Sequence, residues 1–173
     1  MKKTSVKKSE KPKSNTGDYA WLKHYPPGIE WRAEFKSEPL GDILDRSAEK
    51  YSEKICTYFL GKTISYSEIG LLANRAAKGL QALGVGKGTK VGLLLLNCPA
   101  FVIYYFGILK TGACVVNCNP LYTVEELDHQ IKDSETEFLV TLDLAALFEK
   151  TDALLARGNL KTAIICPFTQ MLP

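Results

Sequence analysis

Histidine is scarce in this 173-residue chain, with His24 and His129 the only two. Neither has a Cys or a second His at metal-ligand spacing in its own segment, and a helix would turn the neighbouring Asp128 away from His129. A histidine-built metal centre is thereby excluded, and both read as surface or internally satisfied side chains. Cysteine offers no framework either. Cys56, Cys98, Cys114, Cys118 and Cys166 make an odd count of five without paired spacing, so reduced thiols in a cytoplasmic protein are the expectation. Only Cys114 and Cys118 stand close in sequence. On a strand they would share a face about 13 Å apart. A disulfide needs Cα atoms within roughly 7 Å, and one zinc needs both sulfurs at about 2.3 Å. Core thiols and no metal are the expectation.

Long apolar runs are missing as well. "AFVIYYFGILK" is apolar nearly all round, but a bilayer takes roughly 20 such residues, so this reads as an interior helix. No apolar segment follows the first lysines, so a secretory signal is not expected. No internal repeat is visible.

Charge is present but uneven. Lys2, Lys3, Lys7, Lys8, Lys11 and Lys13 face a single acid, Glu10, and the rest of the chain holds 16 basic and 18 acidic residues. The net charge of +3 therefore belongs to the beginning of the chain. Residues 1–18 read as a solvated, disordered tail. A weak peripheral attraction to anionic membrane is the second reading, with no role in nucleic-acid binding. Residues 19–39, which open with "YAWLKHYPPGIEW", are aromatic and proline-rich without a period, and read as an extended arm.

Over residues 40–173 the pattern becomes regular. A helix is expected near 40–51, then two short strands, 55–59 and 62–64, around a turn at Gly61. Ser65 and Glu68 form an S-x-x-E capping box, opening a helix whose stripe runs through Ile69, Leu72, Ala76, Leu80 and Leu83 to a stop at Gly84. "KVGLLLLN" reads as a strand buried on both faces, and Pro99 suits a first helical position. Strand 114–117, a helix opening at Thr123, strand 138–141, helix 144–155 and strand 162–166 complete the series. Alternating β and α with buried strands means an α/β fold, a doubly wound and mainly parallel sheet with helices on both faces.

"GVGKGTK" (residues 84–90) resembles a phosphate loop by composition, but Gly88 separates Lys87 from Thr89. It also joins a helix end to a strand start, the reverse of a phosphate cradle, so it reads as a turn. Asp143 follows a strand and precedes a helix; helix capping and a catalytic carboxylate are both open to it. Ligands of open α/β sheets bind beyond the carboxyl ends of strands. The candidate crevice lip is therefore Asn117, Asn119, Pro120, Leu121 and Tyr122, around Cys118. A purely structural corner is the competing reading. No catalytic, cofactor-binding or metal residue is assigned.

"TISYSEIGLLANRAAKGLQALGVGKGTKVGLLLLN" and "FGILKTGACVVNCNPLYTVEEL", with the "HYPPGIEW" and "VTLDLAAL" stretches, closely resemble the amino-terminal region of the acyl-adenylate-forming (AMP-binding) enzymes. Within them the likeness is to bacterial long-chain fatty-acid–CoA ligases. The resemblance implies ATP-dependent activation of a fatty acid to an acyl-adenylate and transfer to CoA, with ATP, Mg and CoA as the needs of a full-length relative. It also implies that this chain corresponds to the first subdomain only. The family's phosphate loop, ribose-binding Asp, hinge and carboxyl-terminal catalytic Lys do not occur in these residues, and the acyl pocket is expected downstream. The expectation is an amino-terminal portion of such a ligase, inactive alone and able to self-associate through an exposed sheet edge. A non-catalytic α/β interaction module or regulatory remnant is the alternative; an unrelated nucleotide-binding domain is disfavoured by the loop order at residues 84–90.

Overall fold

The computed structural model describes residues 19–173; the stretch expected to be a disordered tail lies outside them. The chain divides into two compact units, one ending at Ser37 and one running Glu38–Pro173. In the first, Ala20–His24 forms a 3-10 turn that the extended reading of residues 19–39 did not include. The Leu22 N–H donates to the Tyr19 carbonyl at 3.0 Å and the Tyr25 N–H to the Leu22 carbonyl at 3.3 Å, and the rings of Tyr19 and Trp21 stack with centroids 4.4 Å apart.

The second unit holds every expected element. In chain order these are α1 (Gly41–Lys50), β1 (Ile55–Phe59), β2 (Lys62–Ser65), α2 (Tyr66–Ala82), β3 (Lys90–Leu94), α3 (Pro99–Lys110), β4 (Cys114–Asn117), α4 (Val124–Ser134), β5 (Phe138–Leu142), α5 (Ala145–Ala156) and β6 (Thr162–Cys166). β1 and β2 pair antiparallel around Leu60 and Gly61. Both turn residues have positive φ, 48° and 92°, which a two-residue hairpin turn requires to match strand twist. α2 starts at the expected box. The Glu68 N–H donates to Ser65 Oγ at 3.3 Å and the Ser65 N–H donates to Glu68 Oε2 at 2.8 Å.

β3 to β6 form one parallel sheet in the order β4-β3-β5-β6. Val91, Leu93, Leu94, Leu139, Val140 and Leu142 on the two central strands are all completely buried. A strand without a polar face needs cover on both sides. The connections supply it. The step from β3 out to β4 and the return past β3 to β5 run in opposite directions, so right-handed crossovers place α3 on one face and α4 with α5 on the other. α1 and α2 then pack on α3. The run "KVGLLLLN" ends as a strand at Leu94, sooner than its composition suggests, because the chain must turn within four residues to start α3 at Pro99.

α2 and α3 meet more extensively than any other pair of elements, and Gly107 sets their spacing. A Cβ at Gly107 would stand 3.0 Å from the Ala76 Cβ and 3.3 Å from the Ala73 carbonyl oxygen. Small residues on both helices let the backbones approach. Gly79 lies on the solvent side of α2, and a Cβ there would meet nothing within 4 Å.

The two glycines should therefore respond oppositely to alanine. Gly79→Ala gains helix propensity and should stabilise by about 0.5–1 kcal/mol. Gly107→Ala gains the same propensity but overpacks a backbone contact, and a net loss of about 1 kcal/mol or more is expected. Urea unfolding of both variants checks the signs; equal stabilisation would mean that the helix contact is loose.

Candidate functional site

The expected lip is a single turn after β4. The Asn119 side-chain oxygen accepts the Leu121 N–H at 3.0 Å, and its carbonyl accepts the Tyr122 N–H at 3.1 Å. Such local bonding is what Asn offers at a turn. Gln130 Nε2 donates to the Asn117 carbonyl at 2.9 Å. From α5, Lys150 Nζ donates to the carbonyls of Pro120 and Tyr122 at 2.8 and 2.6 Å. Asn117 and Asn119 are exposed, Leu121 is 88% exposed and Tyr122 40%. The five residues thus form one pinned, outward-facing corner. Lys150 was not legible from the sequence, since it lies about 30 positions away and its partners are carbonyls, which any residue carries.

The helix after this corner is closed to anions. The Thr123 N–H donates to Glu126 Oε2 at 2.8 Å and the Glu126 N–H donates to Thr123 Oγ1 at 3.2 Å. α2 carries the same arrangement. A carboxylate already occupies each position where a phosphate would bind. Residues 84–90 are a turn between α2 and β3, with the Thr89 N–H on the Gly86 carbonyl at 3.0 Å and the Gly86 N–H on Thr89 Oγ1 at 3.2 Å. α3 opens without a side-chain cap, with Pro99 in its first turn. Among the described residues, no three His, Cys, Asp or Glu side chains converge as metal ligands.

Asp143 is not the cap of α5, whose N-cap position is Leu144. Its Oδ1 accepts the Phe168 N–H at 2.7 Å and so ties the end of β5 to the segment after β6. His129 is exposed, and Asp128 points into a different set of contacts. Asp128 is 7% exposed and accepts from Lys132 Nζ at 2.7 Å, Asn159 Nδ2 at 2.8 Å and Arg157 Nη1 at 3.2 Å. These donors, Lys132 first, hold its carboxyl below the usual aspartate range against the cost of burial. The cluster locks α4 to the end of α5.

Two clefts lie away from the corner. The larger, about 950 Å³, runs between α2, α3 and β6 and is lined by Leu72, Ala76, Ile103, Tyr104, Ile164 and Met171. Burial and the neighbouring Cys166 thiol push the Tyr104 hydroxyl well above the ordinary tyrosine range, and burial pushes Cys166 up to about 11. The smaller, about 360 Å³, lies where α3 begins beside β1, with Thr57, Asn97 and Cys98 among its walls. The core-thiol reading holds for Cys118, which is buried and whose thiol burial raises to about 11, and needs correction for Cys114, which is exposed on the edge strand β4.

Residues 44–170 match the family profile "AMP-binding enzyme". A long-chain-fatty-acid–CoA ligase of Bacillus subtilis is 39% identical over 130 residues, 75% of this chain and 23% of that protein. The crystal structure of a long-chain-fatty-acid-CoA ligase (FadD1) from Archaeoglobus fulgidus superposes with a TM-score of 0.69 at 25% identity, covering 78% of this chain and 28% of that one. The N-terminal domain of FACL13 from Mycobacterium tuberculosis does so with a TM-score of 0.68 at 26% identity, covering 75% and 34%. The chain thus spans about a quarter of the length of the B. subtilis relative.

The Asp128 cluster should be visible in the pH dependence of stability. A carboxylate held low contributes stability that is present above its unfolded value, near 3.8, and lost as the pH falls through its folded value. Asp128→Asn should therefore lower the melting temperature at pH 7 and flatten its fall below about pH 4; an unchanged acid limb would show that the cluster contributes nothing to acid stability. Native thiol titration with an aromatic disulfide should modify Cys114 first and leave Cys118 and Cys166 unreacted until denaturant is added. Rapid reaction of either buried thiol would contradict the packing.

Proposed function

This chain belongs to the AMP-binding enzyme family, and we propose that it forms the amino-terminal sheet of a cytoplasmic, ATP-dependent fatty acid–CoA ligase. Such an enzyme activates a fatty acid to an acyl-adenylate and passes the acyl group to CoA, with Mg, ATP and CoA as its further needs. The observation that carries the reading is the 39% identity with the B. subtilis long-chain-fatty-acid–CoA ligase over 130 residues. The parallel sheet and the two self-capped helices agree with it.

On this reading the described residues contribute scaffold. The amino-terminal ends of α2 and α4 are filled by Glu68 and Glu126, so neither of these two helices supplies charge stabilisation to a transferring phosphate. Asn117 to Tyr122 present a rigid rim, with its carbonyls already engaged by Lys150 and Gln130. The apolar cleft beside β6 is the surface that the remaining three quarters of such an enzyme would cover. Among the described residues β6 pairs only with β5, and Ile165 on it is 37% exposed. An uncovered strand edge with apolar side chains invites pairing with a second copy. The alternative, a non-catalytic α/β module, draws support from the same saturated helix ends.

The test uses the 173-residue chain and a chimera in which it replaces the matching segment of a bacterial fatty acid–CoA ligase. The chain alone should give no fatty-acid-dependent ATP–pyrophosphate exchange above a heat-killed control and should sediment as larger species at rising concentration. The chimera should recover exchange. A folded but inert chimera, together with a monomeric chain that melts cooperatively, would favour the module; exchange by the chain alone would overturn both readings.

A further inference from the structure

α2 forms one wall of the larger cleft from Glu68 to Leu83, and its outer side is not the polar surface that a solvent-facing helix carries. Leu71 is 60% exposed and Leu83 50%, while Ile165 of β6, on the same cleft, is 37% exposed. Apolar surface left open in this way marks a contact face.

Two charges stand in the same row. Glu68 and Arg75 are both exposed and both border the cleft. Being seven residues apart, they lie two turns from one another on one side of the helix, with Leu71 and Leu72 midway between them. Neither charge is used up within the chain. The Ser65 N–H and the Ser65 hydroxyl donate to Glu68 at 2.8 and 2.9 Å, and both bonds fall on Oε2. Among the described residues Arg75 enters no ion pair.

We propose that this face of α2 is where two copies of the chain meet, antiparallel about a two-fold axis that passes between Leu71 and Leu72. The order of the residues selects both the partner and its orientation. On an antiparallel copy centred there, each Glu68 stands opposite Arg75 of the other chain and each Leu71 opposite Leu72. A parallel copy in register would set Glu68 against Glu68 and Arg75 against Arg75, and like-charge repulsion disfavours it. A different protein would have to carry the same acid–Leu–Leu–base order reversed, whereas a second copy carries it by symmetry. The leucines supply the attraction and the two flanking ion pairs fix the register. Two-fold closure uses up the face, so this contact stops at the dimer. The proposal rests on the ligase reading only in its premise that the cleft needs cover. Its readout is oligomeric state, so it can fail while the acyl-activating assignment stands, and the reverse.

The test is sedimentation equilibrium of the 173-residue chain over about 1–100 μM, the range of modest protein affinities. A monomer–dimer equilibrium is expected. Arg75→Glu, or Glu68→Lys, turns both ion pairs into like-charge contacts and should raise the dissociation constant about tenfold or more. Mixed in equal amounts, the two variants should recover dimers of near-original affinity, because every contact between them again joins opposite charges. A variant that merely misfolds cannot give that recovery. Leu71→Ser, at an exposed position, should weaken the dimer about tenfold while leaving the helical circular dichroism unchanged. A chain that stays monomeric throughout would overturn the proposal, as would a monomer whose cleft takes up an apolar dye, which would assign the face to another occupant. Association that ignores all three substitutions, as pairing through β6 would, or variants that fail to associate when mixed, would overturn it equally.

Discussion

Two strands without a polar face govern this molecule. β3 and β5 are paired side by side and buried along nearly all of their length, so neither side of the sheet can meet water. Burial of apolar surface supplies the main driving force for folding, and here it can be realised only if helices cover both sides. The change of direction after β4 provides that cover, and right-handed crossovers decide which helix goes where. The close approach of α2 and α3 at Gly107 is a second-order consequence: two helices must share one face of a sheet only four strands wide.

The polar groups are arranged to spare the core rather than to attract ligands. Capping boxes at α2 and α4 satisfy orphan amides with carboxylates from the same helix turn. Asp128 gathers three donors, as a carboxylate removed from water must. Lys150 and Asp143 use long-range bonds to hold loop backbone near the carboxyl ends of β4 and β5. A sheet end stiffened in this way can serve as a reference surface for chemistry carried out by other residues. That agrees with a chain that matches AMP-binding enzymes over residues 44–170 and spans 23% of the B. subtilis relative.

The exposed features divide between the two units in a physically consistent way. In the α/β unit the uncovered apolar surface is concave and lies beside the edge strand β6, a shape suited to folded protein. In the unit ending at Ser37 it is a cluster of aromatic rings and single apolar side chains, Ile29 and Phe35 among them.

Local chemistry determined much of this from sequence alone. The S-x-x-E box at Ser65 and the T-x-x-E box at Thr123 name their own bonding partners within one helical turn. The unbroken apolar runs of β3 and β5 state that both faces are covered, and Gly61 and Gly84 mark where the chain turns. What required the tertiary structure is whatever depends on contacts between distant positions. Asp143 looked like a cap for the following helix, but Leu144 holds that position and the partner of Asp143 is the Phe168 amide, 25 residues on. Cys114 is exposed while Cys118 is buried, with β4 at the edge of the sheet, and a strand's place in a sheet is set by pairing with distant positions. The anchoring role of Lys150 had no signal at all. A hydrogen bond to a carbonyl leaves no mark on the accepting residue's identity, so only the folded chain could decide it.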